Sequence, residues 1–154
     1  MIRLSIDPGE NGAIVTWEGR GIVSIIDMPY EGKKLDLSQV YNIFTSFNPC
    51  EVIIEDVHSS PRSGPVSASN FLYNVGVLHT ATIFSGADLV KIKPQTWKAA
   101  TGLYGKPKSC SVGKVRELYA AEYQELIKPF KNRTDRAEAI LIGEAYFKMK
   151  EATK

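Results

Sequence analysis

Three short apolar segments fill the first 28 residues, and the sequences between them leave little room for anything but an antiparallel meander. Residues 1–7, about 12–18 and about 21–28 read as strands. Pro8-Gly9-Glu10-Asn11-Gly12 joins the first pair and Glu18-Gly19-Arg20-Gly21 the second, both with the turn chemistry of hairpins. After the meander the pattern alternates. Residues 36–47 have helical periodicity with Asp36 as the cap, and Asn48-Pro49 ends that helix. A strand over Val52-Ile53-Ile54 follows, then a loop-like stretch at 59–66, a helix over 67–85 and a short strand at 89–92. Pro94 opens a further helix, 102–108 is flexible, and a helix runs over 109–126. The last helix starts near Thr134, its cap, and continues through Tyr146. A meander extended by βαβ crossovers predicts an α/β fold. It is a mixed five-stranded sheet, three antiparallel strands then parallel strands, with helices on both faces. One domain accounts for residues 1–154.

Four carboxylates sit at the ends of these elements. Asp7 closes the first strand, Glu55 closes the fourth, and Asp135 and Glu138 lie three residues apart at the start of the last helix, on one face. The first and fourth strands can lie side by side in such a sheet, which brings Asp7 close to Glu55. Taken singly, each acid has an ordinary explanation: a turn aspartate, a strand-end surface glutamate, two first-turn acids favoured by the helix dipole. Together they are costly to crowd unless a cation sits between them. A divalent ion with hard oxygen ligands, Mg²⁺ or Mn²⁺, suits that donor set, which implies metal-dependent phosphoryl transfer.

Charge adds a second indication. The net charge is only +2, but residues 91–133 carry ten bases against three acids, leaving the rest of the chain acidic. That segregation favours a polyanion lying across one part of the surface, although lysines are most often plain solvated charge. Composition is ordinary for a globular protein, at 44% hydrophobic and 23% charged. No apolar run approaches a membrane span and no leader is evident, so a cytoplasmic protein with no membrane partner is expected. Cys50 and Cys110 read as two reduced thiols, and His58 and His79 do not make a zinc site. Trp17 and Trp97 read as buried aromatics.

At these residues the chain resembles the RuvC family of Holliday-junction resolvases, of the ribonuclease H-like superfamily, and most of all its compact bacteriophage forms. Leu4-Ser5-Ile6-Asp7-Pro8-Gly9 with Gly12 is similar to the family's first strand and catalytic aspartate. Ile53-Ile54-Glu55-Asp56-Val57 resembles the strand bearing the catalytic glutamate, and Asp135-Arg136-Ala137-Glu138-Ala139 the closing helix with two more acids. Pro94-Gln95-Thr96-Trp97-Lys98-Ala99-Ala100-Thr101-Gly102 and Lys106-Pro107-Lys108-Ser109 resemble the segments holding two lysines important for activity. The resemblance assigns those roles to Lys98 and to Lys106 or Lys108, the latter preferred. Each motif is weak by itself. Asp-Pro-Gly also opens phosphate loops of actin-like ATPases and sugar kinases, but this chain has no second such loop. Five motifs in the right order are a strong signal. Two departures stand out: Glu138 where aspartate is commoner, and His58 where the bacterial enzymes often place an aromatic that wedges into the junction.

The resemblance implies a structure-selective endonuclease that resolves four-way DNA junctions by paired symmetric nicks, leaving 5′-phosphate and 3′-hydroxyl ends. The setting would be DNA recombination and repair, or debranching of phage DNA. Asp7, Glu55, Asp135 and Glu138 would hold two Mg²⁺ (or Mn²⁺) ions. Lys98 and Lys108 would meet the scissile phosphate, and His58, Arg62 and Lys106 the DNA. The family is dimeric, and Phe71, Leu72, Val75 and Leu78 form an apolar stripe that could be the seam or could pack on the sheet. A junction-binding module with little cleavage, or a nuclease for other branched or hybrid substrates, remains open on the sequence.

Overall fold

The computed structural model describes residues 1–58, 63–128, 131 and 133–153. In chain order the elements are β1 (Ile2–Asp7), β2 (Ala13–Glu18), β3 (Gly21–Asp27), β4 (Tyr30–Glu31), β5 (Lys34–Leu35), α1 (Leu37–Phe47) and β6 (Glu51–Glu55). They continue as α2 (Pro65–Phe84), β7 (Asp88–Ile92), α3 (Pro94–Ala100), α4 (Cys110–Leu118), α5 (Tyr123–Leu126) and α6 (Arg133–Ala152). Five strands form one sheet in the order β3-β2-β1-β6-β7. The first three are antiparallel neighbours, and β6 and β7 add in parallel beside β1. This is the mixed sheet that the meander and crossovers predict.

Period-two alternation sorts the sheet's residues between two cores. Leu4, Ile6, Ile14, Val52 and Ile54 pack on one face with Val40 and Phe44 of α1 and Leu78 of α2. Ala13, Val15, Trp17 and Ile53 pack on the other with α6, Trp97 and Val115. Helix α6 is the spine of the second layer, buried continuously from Arg136 to Phe147 between the sheet, α3 and α4. Ser5 fastens it to the sheet: its hydroxyl donates to the Ala139 carbonyl at 2.7 Å and accepts from the Trp17 indole at 2.8 Å. Arg136 Nε donates to Asp27 at 2.6 Å and pins the start of α6 to the end of β3.

Local chemistry explains most boundaries. Asp36 caps α1 by accepting from the Ser38 and Gln39 amides, and Asn48 ends it in the left-handed conformation. Pro94 occupies the first turn of α3, as expected.

Several details depart from the sequence expectation. The helix expected over 109–126 is two helices, interrupted after Leu118. Tyr119 takes φ −129°, ψ 50° and directs its hydroxyl to Glu144 on α6, so a tertiary hydrogen bond overrides helix-forming Ala120 and Ala121. Thr134 lies inside α6 and is not its cap. The β4–β5 ribbon was not anticipated, because two-residue strands carry no periodicity. It is held by Asn74 of α2, whose side chain accepts from the Leu35 amide and donates to the Lys33 carbonyl. The apolar stripe on α2 divides as well: Leu78 is in the core, Leu72 is exposed, and Phe71 and Val75 are half-buried. Among the described residues, no helix is long and apolar enough to cross a membrane.

Candidate metal centre

The sheet face under α6 brings the acids together. In β1, Arg3, Ser5 and Asp7 share that face; in β6, Glu51, Ile53 and Glu55 do. Ser5 lies opposite Ile53 in the parallel register, so Asp7 and Glu55, each two residues farther on, emerge side by side. Helix α6 crosses this edge with its first turns, delivering Asp135 and Glu138. Asp7, Asp135 and Glu138 each offer a carboxylate oxygen, and these atoms all lie within 4.8 Å of one another. Asp7 and Glu138 are buried; Asp135 is half-buried.

Glu55 stands beside this trio and is engaged differently. Its Oε1 accepts a 2.7 Å hydrogen bond from the indole N–H of Trp97, which is wholly buried on α3. Glu138 in turn accepts from the Ser111 hydroxyl of α4 at 3.4 Å. Asp7 Oδ1 accepts from the Gly9 amide at 3.0 Å within the tight turn after β1. That turn requires glycine at position 12, where a Cβ would lie 2.0 Å from the Asp7 carbonyl oxygen.

One cation is already present in this pocket. Lys108, on the segment leading into α4, places Nζ 2.7 Å from Asp135 Oδ1 and 3.1 Å from Glu138 Oε2. Burial disfavours its charged form, but the hydrogen bond to Asp135 and the charge of Glu138 outweigh that and raise its pKa. Burial raises Asp7 from 3.8 to about 7, with Glu55 and Glu138 adding repulsion and Gly9 and Lys108 opposing. Glu55 is raised as well, first by burial and then by Glu138, against the Trp97 hydrogen bond. A buried set of hard oxygen donors that repel one another and already attract an ammonium group fits a divalent cation.

The other expected residues lie around this centre. Lys98 is half-buried with Nζ 5.2 Å from the Trp97 ring centroid, close enough to favour the Glu55 anion. His58 is exposed at the rim of a groove that Asp7, Glu55 and Phe71 also line. Lys106 is exposed on the α3–α4 connection, two residues before Lys108. Arg62 lies outside the described residues. Two contributors were missed from sequence: Trp97, read there only as a buried aromatic, and Ser111. Hydrophobic patterning places a tryptophan ring but says nothing of where its N–H points, and Ser111 has no distinguishing neighbour in the chain.

No protein-family model matches the sequence, and no curated protein matches it. Solved structures do match over the whole length. The Thermus thermophilus RuvC structure superposes with a TM-score of 0.69 at 19% identity, covering 97% of each chain. The fold is that of RuvC. The same Thermus protein in complex with a Holliday junction substrate gives a TM-score of 0.70 at 16% identity, over 99% of this chain and 96% of that one. The Fowlpox virus resolvase, solved with substrate Holliday junction DNA, gives 0.56 at 19% identity over 100% of both chains. The mixed five-stranded sheet expected from the meander and its crossovers, which the resemblance described as ribonuclease H-like, is therefore the fold shared with both. At these identities the likeness establishes the fold alone.

Proposed function

We propose that this chain is a metal-dependent endonuclease, a single domain over 1–154, acting on branched DNA and chiefly on four-way junctions. The observation that carries the reading is the convergence of Asp7, Asp135 and Glu138 within 4.8 Å, with Glu55 alongside, on a fold otherwise seen holding Holliday junctions. Those four carboxylates would hold Mg²⁺ or Mn²⁺, two ions per site. When bound, the ions supply an activated water and charge stabilisation at the leaving 3′ oxygen, giving 5′-phosphate and 3′-hydroxyl ends.

The chain's own groups do the rest. Asp7 must give up its proton before it can serve as a ligand. Lys108 is the exchangeable cation: it neutralises Asp135 and Glu138 in the metal-free protein and can pair with the scissile phosphate once they are otherwise satisfied. Lys98, beside Glu55, is placed for a second phosphate contact. His58, at the rim with Phe71, would meet bases near the crossover, and Lys106 and Arg62 the backbone.

A junction needs two opposed cuts, which suits a C2 homodimer. Helix α2 supports this with exposed Leu72, Ile83 and Phe84, at 55%, 67% and 87% accessibility. Such an enzyme would work in the cytoplasm, in recombination, repair or the debranching of phage DNA.

The test is a labelled synthetic four-way junction beside matched duplex, fork and RNA–DNA hybrid, with Mg²⁺, Mn²⁺ or chelator, for wild type and Asp7→Asn. Symmetric nicks confined to the junction, absent in chelator and in Asp7→Asn while binding persists, are expected. Binding without cleavage under every metal condition would show a junction-binding module, and preferential cutting of the hybrid a different nuclease.

A further inference from the structure

A tryptophan deep in the core has its one polar atom on a carboxylate of the acidic cluster. Buried indole N–H groups need partners, and a neutral one suffices: Trp17, equally buried, donates to the Ser5 hydroxyl at 2.8 Å. Trp97 donates instead to Glu55 Oε1 at 2.7 Å. Its ring is wholly buried. Pro94 starts α3 directly after β7, whose Ile92 is in register with Glu55, and Trp97 belongs to the core cluster under α6. The ring therefore cannot follow Glu55 if that side chain moves. Glu55 must come to it.

We infer that Trp97 is a positioning residue for Glu55, committing one carboxylate oxygen to the indole so that the other is held ready for a cation shared with Asp7 and Glu138. This rests on the metal-site reading above. Glutamate has one more rotatable bond than aspartate, and an unrestrained Glu55 at the end of β6 could turn toward the open groove beside His58. The indole fixes the last torsion and favours the anion that a metal requires. Lys98, its Nζ 5.2 Å from the centroid of the same ring, adds a positive charge nearby. Asp7 emerges beside Glu55 from the neighbouring strand, and Asp7 and Glu138 offer oxygens within 4.8 Å of each other, so the acids that would share the cation converge next to Glu55.

The experiment is a Mn²⁺ titration by calorimetry of wild type, Trp97→Phe, Glu55→Gln and the double variant, without DNA. Phenylalanine keeps an aromatic ring and removes the N–H. Trp97→Phe should weaken Mn²⁺ binding roughly tenfold, as loss of a partner behind a metal ligand typically does. In the Glu55→Gln background the same change should add almost nothing. In cleavage assays the metal concentration for half-maximal rate should rise by a similar factor, with a smaller change in the rate at saturating metal. The chain has two tryptophans, so the wild-type NMR spectrum should show two indole N–H resonances, one of which moves on adding Mg²⁺ and in Glu55→Gln. That arm decides the matter if Trp97→Phe does not fold. Trp97→Phe binding Mn²⁺ as wild type does, an equal loss with and without Glu55, or indole resonances indifferent to Glu55→Gln would each overturn the inference alone. Wild type binding no Mn²⁺ would instead remove the metal site itself, and the inference with it.

Discussion

Lys108 sets its ammonium between Asp135 and Glu138, 2.7 Å from the first and 3.1 Å from the second, across the gap between the α3–α4 connection and α6. On the proposed reading the same two carboxylates would hold a divalent ion, so the lysine and the metal would compete for them. Lys108→Ala should therefore bind Mn²⁺ at least as tightly as wild type in the absence of DNA. Cleavage should nevertheless fall by about 10²–10³-fold, the usual cost of losing one donor to a developing charge. Calorimetry and single-turnover cleavage separate the two effects, and weaker Mn²⁺ binding in Lys108→Ala would contradict the competition.

Asp7 makes the metal-free fold sensitive to pH. Burial raises its pKa from 3.8 to about 7, so between those values the folded state holds a proton that the unfolded chain has lost. Stability from this group is fully present below pH 3.8 and is lost as pH rises through about 7; the raised pKa of Glu55 acts in the same direction. Melting temperatures in chelator should fall over this window, and Asp7→Asn should flatten the fall. The shift limits the advantage of Asp7→Asn at pH 8 to about 4 kcal/mol. Metal reverses the trend: Mn²⁺ affinity should climb with pH up to about 7 and then level. A metal-free melting curve independent of pH would show that Asp7 ionises as if exposed.

Much of this arrangement is readable from the chain because local rules and tertiary structure agree there. The meander follows from Pro8-Gly9 and Gly19-Arg20-Gly21, and strand alternation alone puts Asp7 on the face opposite Leu4 and Ile6. The spacing of Asp135 and Glu138 fixes their shared face wherever the helix lands. What could not be read depends on contacts between distant residues. Tyr119 breaks a good helical sequence to reach Glu144, Asn74 organises a ribbon forty residues earlier, and Trp97 directs an N–H that hydropathy ignores. Periodicity put Phe71 on an apolar stripe that could be a seam or could pack on the sheet, and the orientation of α2 brings it to the groove that Asp7 also lines.

Gly143 links the core to the site. A Cβ there would lie 2.5 Å from Trp17, whose ring cannot yield because Ser5 holds its N–H and Phe147 packs edge-on at 5.2 Å. Gly143→Ala should cost about 1–3 kcal/mol in urea denaturation. It should also weaken Mn²⁺ binding, because Ser5 fastens the same helix beside Glu138 through Ala139. Gly113→Ala on α4 is the matched control. Nothing lies within 4 Å of that position, so helix propensity should make it neutral or stabilising by up to about 1 kcal/mol. Equal effects from the two substitutions would mean that Trp17 and α6 repack freely.

The α2 surface gives the last prediction. Tyr73 and Phe84 on α2 border a groove with Leu37 and Tyr41 of α1, while Leu72 and Ile83 extend the apolar area around the helix. Leu78 and Thr82 already face the core, so these residues are not needed to pack the sheet. If they cover a second copy across a two-fold axis, charge introduced there should split the dimer without unfolding the protomer. Leu72→Arg with Phe84→Glu should shift sedimentation from dimer to monomer, leave the melting temperature of the monomer unchanged, and preserve Mn²⁺ binding, because Asp7, Glu55, Asp135 and Glu138 all come from one chain. Junction cutting should change in kind. Paired, near-simultaneous nicks should give way to single, uncoupled ones, seen as nicked cruciform plasmid in place of linear product. A wild-type protein that sediments as a monomer and still linearises the cruciform in one binding event would remove the two-fold arrangement while leaving the metal centre intact.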